Sequence, residues 1–299
     1  MEKNIFVTTI ESGKIDRLKK GLEEQGFVFS DLPYAHFVAK KKGISCALYT
    51  SLKLVVQGSQ MKEFIEFFLE PEILEAFPYS QQDEDLRSRI GVDEAGKGDF
   101  FGPLSVAALF VEKSRFEELK KLKIKDCKKM TDQSVREVGK KIRERFPHAL
   151  IKLGPQKYNE LYSKFKNLNH MLAWCHSQAI SELTVHDGIE CVVIDQFANE
   201  WVIKGALKRK NIEEKIELRH KAESDIVVAG ASILARAAFL EELERLSKAF
   251  DLKLPKGASN QCIEAGKAFV RKYGREKLPL VAKIHFKTTE RVLEENLFE

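Results

Sequence analysis

The stretch Arg89-Ile-Gly-Val-Asp-Glu-Ala-Gly-Lys-Gly-Asp99 joins a short apolar segment to a glycine-rich turn and carries two acidic residues between them. Its first five residues predict a β-strand that ends at Asp93, and Gly96 and Gly98 predict a tight turn. Asp93 and Glu94 are therefore expected at the edge of a sheet, where both side chains project. The two glycines are expected to permit unusual φ angles and to let a nucleic-acid backbone approach closely.

The same stretch comes close to a nucleotide-binding P-loop, which reads G-x-x-x-x-G-K followed by Ser or Thr. Gly91 to Lys97 satisfies the first seven positions, but Gly98 stands where a hydroxyl would hold magnesium. Two carboxylates inside such a loop would also repel the phosphates that it binds. A nucleotide-dependent phosphotransferase is therefore an alternative that measurable ATP binding would favour.

Two later segments carry acidic residues that are candidates for the same site. Cys191-Val-Val-Ile-Asp195 is typical of a central strand that ends in a carboxylate, although a lone Asp there is more often a turn former or a helix cap. Glu223 and Asp225 precede a long helix of small residues, where acidic side chains often only stabilise the helix dipole. A few convergent carboxylates, with substrate phosphate oxygens, suit the divalent ions of phosphodiester hydrolysis.

The elements around these segments predict two domains. Residues 1–80 are expected to form an α+β domain, a polar linker follows at 81–88, and residues 89–299 form the second domain. The second domain is predicted as three strands with helices, then two strands that are each followed by a helix, which makes a mixed α/β sheet.

The first domain is predicted as a strand, a helix, three short strands and a second helix, with the helices on one side of the sheet. Ser12 is expected to cap the first helix. The second helix, about Met61–Leu69, is expected to bury Phe64, Phe67 and Phe68.

Composition limits the class of protein and its compartment. The net charge is +5, and residues 1–80 contain 10 Lys and Arg against 11 Asp and Glu, so the basic excess lies in the second domain. A nucleic-acid partner is compatible with that balance. The five cysteines are scattered without a C-x-x-C pair, which indicates reduced thiols in a cytoplasmic protein. No signal peptide or membrane span is predicted.

Four segments in this order resemble the bacterial type 2 ribonucleases H, which include ribonucleases HII and HIII. They are DEAGKGDFFGPL (93–104), KDCKKMTD (125–132), VVIDQF (192–197) and KAESDIVVAGASILAR (221–236), and the likeness extends over residues 89–290. Glu223 stands where ribonuclease HII carries Asp, and this Glu together with the extra N-terminal domain is similar to the HIII group.

The resemblance implies a ribonuclease H-like mixed five-stranded sheet and an N-terminal domain of the TATA-binding protein fold. It implies a monomeric endoribonuclease that cuts the RNA strand of RNA/DNA hybrids with Mg²⁺ or Mn²⁺, leaving 5′-phosphate and 3′-hydroxyl ends. Its catalytic residues would be Asp93, Glu94, Asp195 and Glu223, of which the first three are metal ligands. Asp225 remains an alternative fourth carboxylate, and a non-catalytic hybrid-binding protein remains an alternative function.

The resemblance also implies substrate contacts. The turn of Gly96, Lys97 and Gly98 would contact the ribose 2′-hydroxyl, and Lys128 and Lys129 would contact phosphates. In the N-terminal domain, which would bind the hybrid through its sheet, the candidates are Lys40, Lys41 and Lys42. Ser232 is expected mainly to permit close helix packing, and the segment His285-Phe-Lys287 resembles an HIII motif without an assigned role.

Overall fold

The computed structural model of the protein describes residues 5–75, 85–122, 124, 130–195, 197–212, 215–219 and 222–294. The chain divides into two compact units, Met1–Asp85 and Leu86–Glu299. The predicted linker at 81–88 spans this division, and its residues 81–84 lie outside the described part of the chain.

The N-terminal unit is an antiparallel sheet of five strands with helices packed on one face. Its strands are Ile5–Thr9 (β1), Val28–Ser30 (β2), Ala35–Lys41 (β3), Ile44–Tyr49 (β4) and Lys53–Gln57 (β5), and its helices are Ile15–Glu24 (α1) and Met61–Phe64 (α2), the last continued by a π-helix, Ile65–Leu74. The strands pair in the order β1-β5-β4-β3-β2. The buried residues of alternate strand positions share one core with the helices. The expected α+β architecture is confirmed.

Three details of this unit differ from the sequence predictions. Strand β2 was not predicted, because three residues with no buried side chain show no alternation. Ser12 does not cap α1, because it lies in a 3₁₀ turn before the helix and makes no capping hydrogen bond. Phe67 is 76% exposed, whereas Phe64 is buried and Phe68 packs against the core. The π-helical spacing after Phe64 turns Phe67 away from the face expected for an α-helix.

The second unit contains the expected mixed five-stranded sheet. Its strands are Arg89–Ala95 (β6), Leu104–Val111 (β7), His148–Leu153 (β8), Cys191–Asp195 (β9) and Ile216–Arg219 (β10), in the order β10-β9-β6-β7-β8. Neighbouring strands among β6, β7 and β8 are antiparallel, while β9 and β10 run parallel to β6. The helices are Phe116–Lys121 (α3), Asp132–Arg145 (α4), Pro155–Phe165 (α5), Leu168–Leu183 (α6), Glu200–Lys208 (α7), Ile226–Ala249 (α8), Asn260–Tyr273 (α9) and Thr288–Leu293 (α10).

Helices cover both faces of this sheet. Helix α8 packs on one face in a core that includes Leu109 of β7, and α6 packs on the other face in a core that includes Val92 of β6. The small residues of α8 allow a close approach, since a Cβ on Gly230 would lie 2.5 Å from Leu109. A Cβ on Gly91 of β6 would lie 2.5 Å from the Val228 nitrogen. Burial on both faces explains the continuous apolar runs of these strands.

The position of Gly91 argues against the P-loop alternative. Gly91 through Ala95 form paired, extended strand in β6. A P-loop instead wraps its backbone amides around phosphates between a strand and a helix.

No helix in the described ranges is long and apolar enough to span a membrane.

Candidate active site

Parallel pairing of β6 and β9 brings two of the predicted carboxylates to one edge of the sheet. Val92 is in register with Ile194, so Asp93 and Asp195 follow one residue later on adjacent strands. Neighbouring strands lie about 5 Å apart. Asp93, Glu94 and Asp195 line one cavity of about 470 Å³. The structure thus brings together three of the four predicted catalytic carboxylates.

The Asp93 carboxylate is buried beside a second negative charge. Burial and the neighbouring Glu94 raise the pKa of Asp93 to about 6, although hydrogen bonds from Ser232 and from the backbone of Glu94 oppose the shift. The Glu94 amide donates to Asp93 Oδ1 at 2.8 Å. Ser232 therefore also contacts a predicted catalytic residue, beyond the close packing expected from its size. The raised pKa indicates negative charge that the surrounding protein compensates only in part.

Two side chains contact the Glu94 carboxylate, His176 and Lys97. His176 Nε2 lies 3.1 Å from Glu94 Oε2, and Lys97 Nζ lies 3.4 Å from Glu94 Oε1. Burial alone would raise the pKa of Glu94, but the hydrogen bond and charge of His176 and the charge of Lys97 hold it below its ordinary value. Sequence reasoning missed His176. Its only signal was a polar ring within the apolar run of α6.

Asp195 connects the strand edge to the segment that carries Glu223. The Ala222 amide donates to Asp195 Oδ1 at 3.2 Å, and Ala222–Ser224 form a short 3₁₀ turn before α8. The backbone of Glu223 therefore follows directly on a residue bonded to Asp195. The side chain of Glu223 lies outside the described part of the chain.

Asp225, the alternative fourth carboxylate, is committed to the fold. Its side chain accepts hydrogen bonds from the Val227 and Val228 amides and caps α8. It is buried and forms ion pairs with Arg89 at 2.9 Å and with Arg219 at 3.0 Å. A carboxylate with these partners is a structural element of the helix start, and it does not line the cavity.

The donor set fits divalent metal ions. Carboxylate oxygens are the hard ligands that Mg²⁺ prefers, and Asp93, Glu94 and Asp195 bring such oxygens to one cavity. In the described part of the chain, no three His, Cys, Asp or Glu side chains are grouped closely enough to hold a metal ion by themselves. Mg²⁺ nevertheless suits an open site, because it keeps several waters and takes ligands from substrate phosphates.

The two glycines of the turn differ in their requirements. Gly96 has φ +88°, and a Cβ on it would lie 2.1 Å from the Pro103 oxygen, so the turn requires glycine there. The expectation of an unusual φ at Gly98 was wrong: its φ is not positive, and a Cβ would meet nothing within 4 Å. Glycine at position 98 leaves open space at the cavity wall without any conformational need.

The remaining predicted contacts are distributed unevenly. Lys97 lines the cavity and lies 5.5 Å from the centre of the Phe197 ring. Lys128 and Lys129 lie outside the described residues. Two further cations, Arg236 and Lys256, line the cavity and were not predicted. Asp132 accepts a hydrogen bond from each of them, from Arg236 Nη2 to Oδ1 at 3.2 Å and from Lys256 Nζ to Oδ2 at 2.5 Å. Arg236 is the last residue of the segment KAESDIVVAGASILAR (221–236), but only the tertiary structure brings it to the carboxylates.

Comparisons with known proteins find relatives over nearly the whole chain. Residues 90–289 match the family model described as Ribonuclease HII, and residues 5–80 match one described as a domain of unknown function, DUF3378. The chain is 47% identical to a ribonuclease HIII of Protochlamydia amoebophila (strain UWE25), covering 96% of each chain. It is 48% identical to a ribonuclease HIII of Chlamydia felis (strain Fe/C-56), covering 95% of each. The crystal structure of Bst-RNase HIII in complex with Mn²⁺ superposes with a TM-score of 0.67 at 30% identity, covering 97% of this chain and 98% of that one.

Proposed function

The chain belongs to the ribonuclease HIII family and is therefore a ribonuclease, and from that premise we propose that it hydrolyses the RNA strand of RNA/DNA hybrids with divalent metal ions, leaving 5′-phosphate and 3′-hydroxyl ends. The observation that carries the proposal is the convergence of Asp93, Glu94 and Asp195 on one cavity. The related Bst-RNase HIII was crystallised with Mn²⁺, which supports Mg²⁺ or Mn²⁺ as the cofactor.

Asp93, Glu94 and Asp195 would hold the ions, which supply an activated water and stabilise the leaving oxygen when bound. His176 orients the Glu94 carboxylate through its Nε2. Ser232 holds the Asp93 carboxylate from the opposite helix. Glu223 supplies the fourth carboxylate in this proposal, because Asp225 is committed to two arginines and to the start of α8.

The glycine turn is proposed to distinguish RNA from DNA. Gly96, Lys97 and Gly98 line the same cavity as the carboxylates, so their backbone is within reach of the sugar at the cut. Lys97 is paired with Glu94, and a phosphate or an ion in the cavity would compete for each partner. Lys128 and Lys129 remain proposed phosphate contacts.

The N-terminal unit is proposed to bind the hybrid through the sheet face opposite its helices. That face exposes Ile5, Val7 and Val28 together with the cations Lys40 and Lys53. The three predicted lysines do not act as one cluster. Lys41 donates to the Gln25 carbonyl at 2.9 Å and, with Lys42, lines a groove beside the helices.

We further propose a cytoplasmic monomer. Three cysteines in the described ranges, Cys46, Cys175 and Cys262, are buried and form no disulfide, which supports a reducing compartment.

The deciding experiment offers the protein a hybrid labelled at either end of the RNA strand. Cleavage with Mg²⁺ or Mn²⁺ that stops in chelator supports the proposal, and enzymatic end analysis identifies the products. An all-RNA duplex and an all-DNA duplex are the controls. Hybrid binding without cleavage under every metal tested would instead favour the non-catalytic binding protein.

A further inference from the structure

The segment that contains His285 has a defined place in the fold, directly behind the glycine turn. Phe101 and Ala282 form an antiparallel bridge, and the Lys283 amide donates to the Phe100 carbonyl at 2.9 Å. The Gly102 amide donates to the Val281 carbonyl at 3.0 Å. The backbone that leaves the turn is thus paired with the C-terminal segment residue by residue.

A fully buried lysine reinforces this pairing. Lys283 Nζ donates to the carbonyls of Asp99 at 2.7 Å, Gly102 at 2.8 Å and Phe101 at 3.4 Å. An ammonium has three N–H donors, and the three carbonyls match them in number. Burial lowers the pKa of Lys283 to about 7, because removal from water disfavours the charged ammonium. An apolar side chain would fill the space but would leave three buried carbonyls without these donors.

The same network of hydrogen bonds connects the turn to the opposite wall of the cavity. The Gly257 amide donates to Asp99 Oδ1 at 2.6 Å, and the Phe100 amide donates to the Gly257 carbonyl at 2.8 Å. Lys256, the preceding residue, lines the cavity. Lys283 therefore holds the residues through which the glycine turn keeps its position relative to Lys256.

The rest of the segment anchors Lys283 to α5. Asn159 Nδ2 donates to the Ala282 carbonyl at 2.9 Å and to the Pro279 carbonyl at 3.2 Å, and Asn159 Oδ1 accepts from the Ile284 amide at 3.1 Å. The His285 ring stacks on Tyr162, with ring centres 4.0 Å apart. The HIII-like motif therefore has a structural role as an anchor, and the residue that reaches the turn is the lysine two positions before the histidine.

We propose that Lys283 is a positioning residue for substrate: it holds the exit of the Gly96–Asp99 turn so that the turn backbone receives the sugar and phosphate of the cleaved strand. The inference rests on the proposed function, because it assigns the turn to substrate recognition. It separates Lys283 from residues that only stabilise the unit, since its three acceptors are the last residue of the turn, Asp99, and two residues that follow it, Phe101 and Gly102.

The test compares Lys283→Met with Val292→Ala, a matched control that removes buried methyl groups packed on Gly266 and touches no residue of the turn. Lys283→Met should raise KM for the hybrid about tenfold with a smaller change in kcat, the size expected when hydrogen bonds that order a binding loop are lost. It should also reduce, by a similar factor, the preference for a ribonucleotide over a 2′-deoxynucleotide at the cut. Val292→Ala should leave both quantities unchanged.

Hydrogen exchange supplies a readout that does not depend on activity. Amides of residues 96–102 should exchange faster in Lys283→Met than in Val292→Ala. Should Lys283→Met fail to fold, Asn159→Ala replaces it, because it releases the same segment from α5 and should show the same changes more weakly. Equal KM, discrimination and exchange in the lysine or asparagine variant and in the control would overturn the inference. A wild-type protein that cleaves no hybrid would refute the proposed function, and exchange would still decide whether Lys283 holds the turn.

Discussion

Arg89 and Asp225 form an ion pair at 2.9 Å, and each side chain is only 3% exposed. Arg89 begins the strand that carries Asp93, and Asp225 begins the helix that covers it. The pair therefore fixes the start of α8 against the central strand and leaves its carboxylate without a free oxygen for catalysis. This ion pair assigns a structural role to Asp225 and leaves Glu223 as the candidate for the fourth catalytic carboxylate.

Asp225→Asn should mainly reduce stability, whereas Glu223→Gln should mainly reduce activity. Loss of one partner of a buried ion pair costs about 3 kcal/mol or more, because the remaining charge is left uncompensated. Urea unfolding should show this loss for Asp225→Asn, with cleavage per folded molecule retained. Glu223→Gln should unfold within about 0.5 kcal/mol of the wild type but lose cleavage. The opposite assignment follows if only the folded Asp225 variant is inactive.

Asp93→Asn and Asp195→Asn should each remove nearly all cleavage while hybrid binding persists. Loss of a residue that only supports a metal ligand costs about 10- to 100-fold in activity, so loss of a ligand itself should cost more. Gel-shift binding and single-turnover cleavage measure the two effects. Asp187→Asn, in an exposed turn, is the matched control. Cleavage close to the wild-type rate in either variant would contradict the assignment.

His176→Phe should weaken metal-dependent activity without removing the metal ligands. The substitution keeps an aromatic ring against Phe197, whose centre lies 4.7 Å from that of His176, but it removes the hydrogen bond to Glu94. The metal concentration for half-maximal cleavage should rise about 10- to 100-fold. His186→Phe, in a histidine stacked on Phe110, is the control. An unchanged metal titration would show that His176 only packs.

Gly96→Ala should damage the enzyme far more than Gly98→Ala. A Cβ at position 96 collides with the Pro103 oxygen and occupies a left-handed backbone conformation, whereas position 98 has neither constraint. Thermal unfolding should show a large loss for Gly96→Ala and almost none for Gly98→Ala. A raised KM in a fully stable Gly98→Ala protein would indicate that substrate approaches there. Equal losses of stability would contradict the geometry of the turn.

Glu217 should make stability depend on pH in acid. Hydrogen bonding by Arg87, and also by Arg219 and Lys215, lowers the pKa of Glu217 from 4.5 to about 2, although partial burial opposes the shift. A lowered folded-state pKa means that the unfolded state binds more protons in this window, so the stabilisation is complete above about pH 4.5 and is lost as the pH falls towards 2. The difference in unfolding free energy between wild type and Glu217→Gln should follow that course. A constant difference down to pH 2 would exclude this role.

Much of the second unit was predictable because its signals are local. The apolar run before Asp195 predicted the end of β9 correctly, whereas β6 continues two residues beyond its predicted end at Asp93, and α4 has the predicted bounds of Asp132–Arg145. Helix α5 was missed, since its amphipathic pattern is short and it follows a strand without a long loop. Strand β2 was missed for the related reason that three residues, none of them buried, are too few to show a period.

The sequence by itself determined the fold class and the carboxylates at the two strand ends, because strand periodicity, glycine turns and motif order are properties of neighbouring residues. The tertiary structure decided which side chains support them. His176 reaches Glu94 across 82 positions, Arg89 reaches Asp225 across 136, and Lys283 reaches Gly102 across 181. Each of these contacts satisfies a buried charge or carbonyl whose need for a partner arises only after burial removes water. The local sequence therefore identifies the charged or polar group that will need a partner, and only the packed fold brings the partner into contact with it.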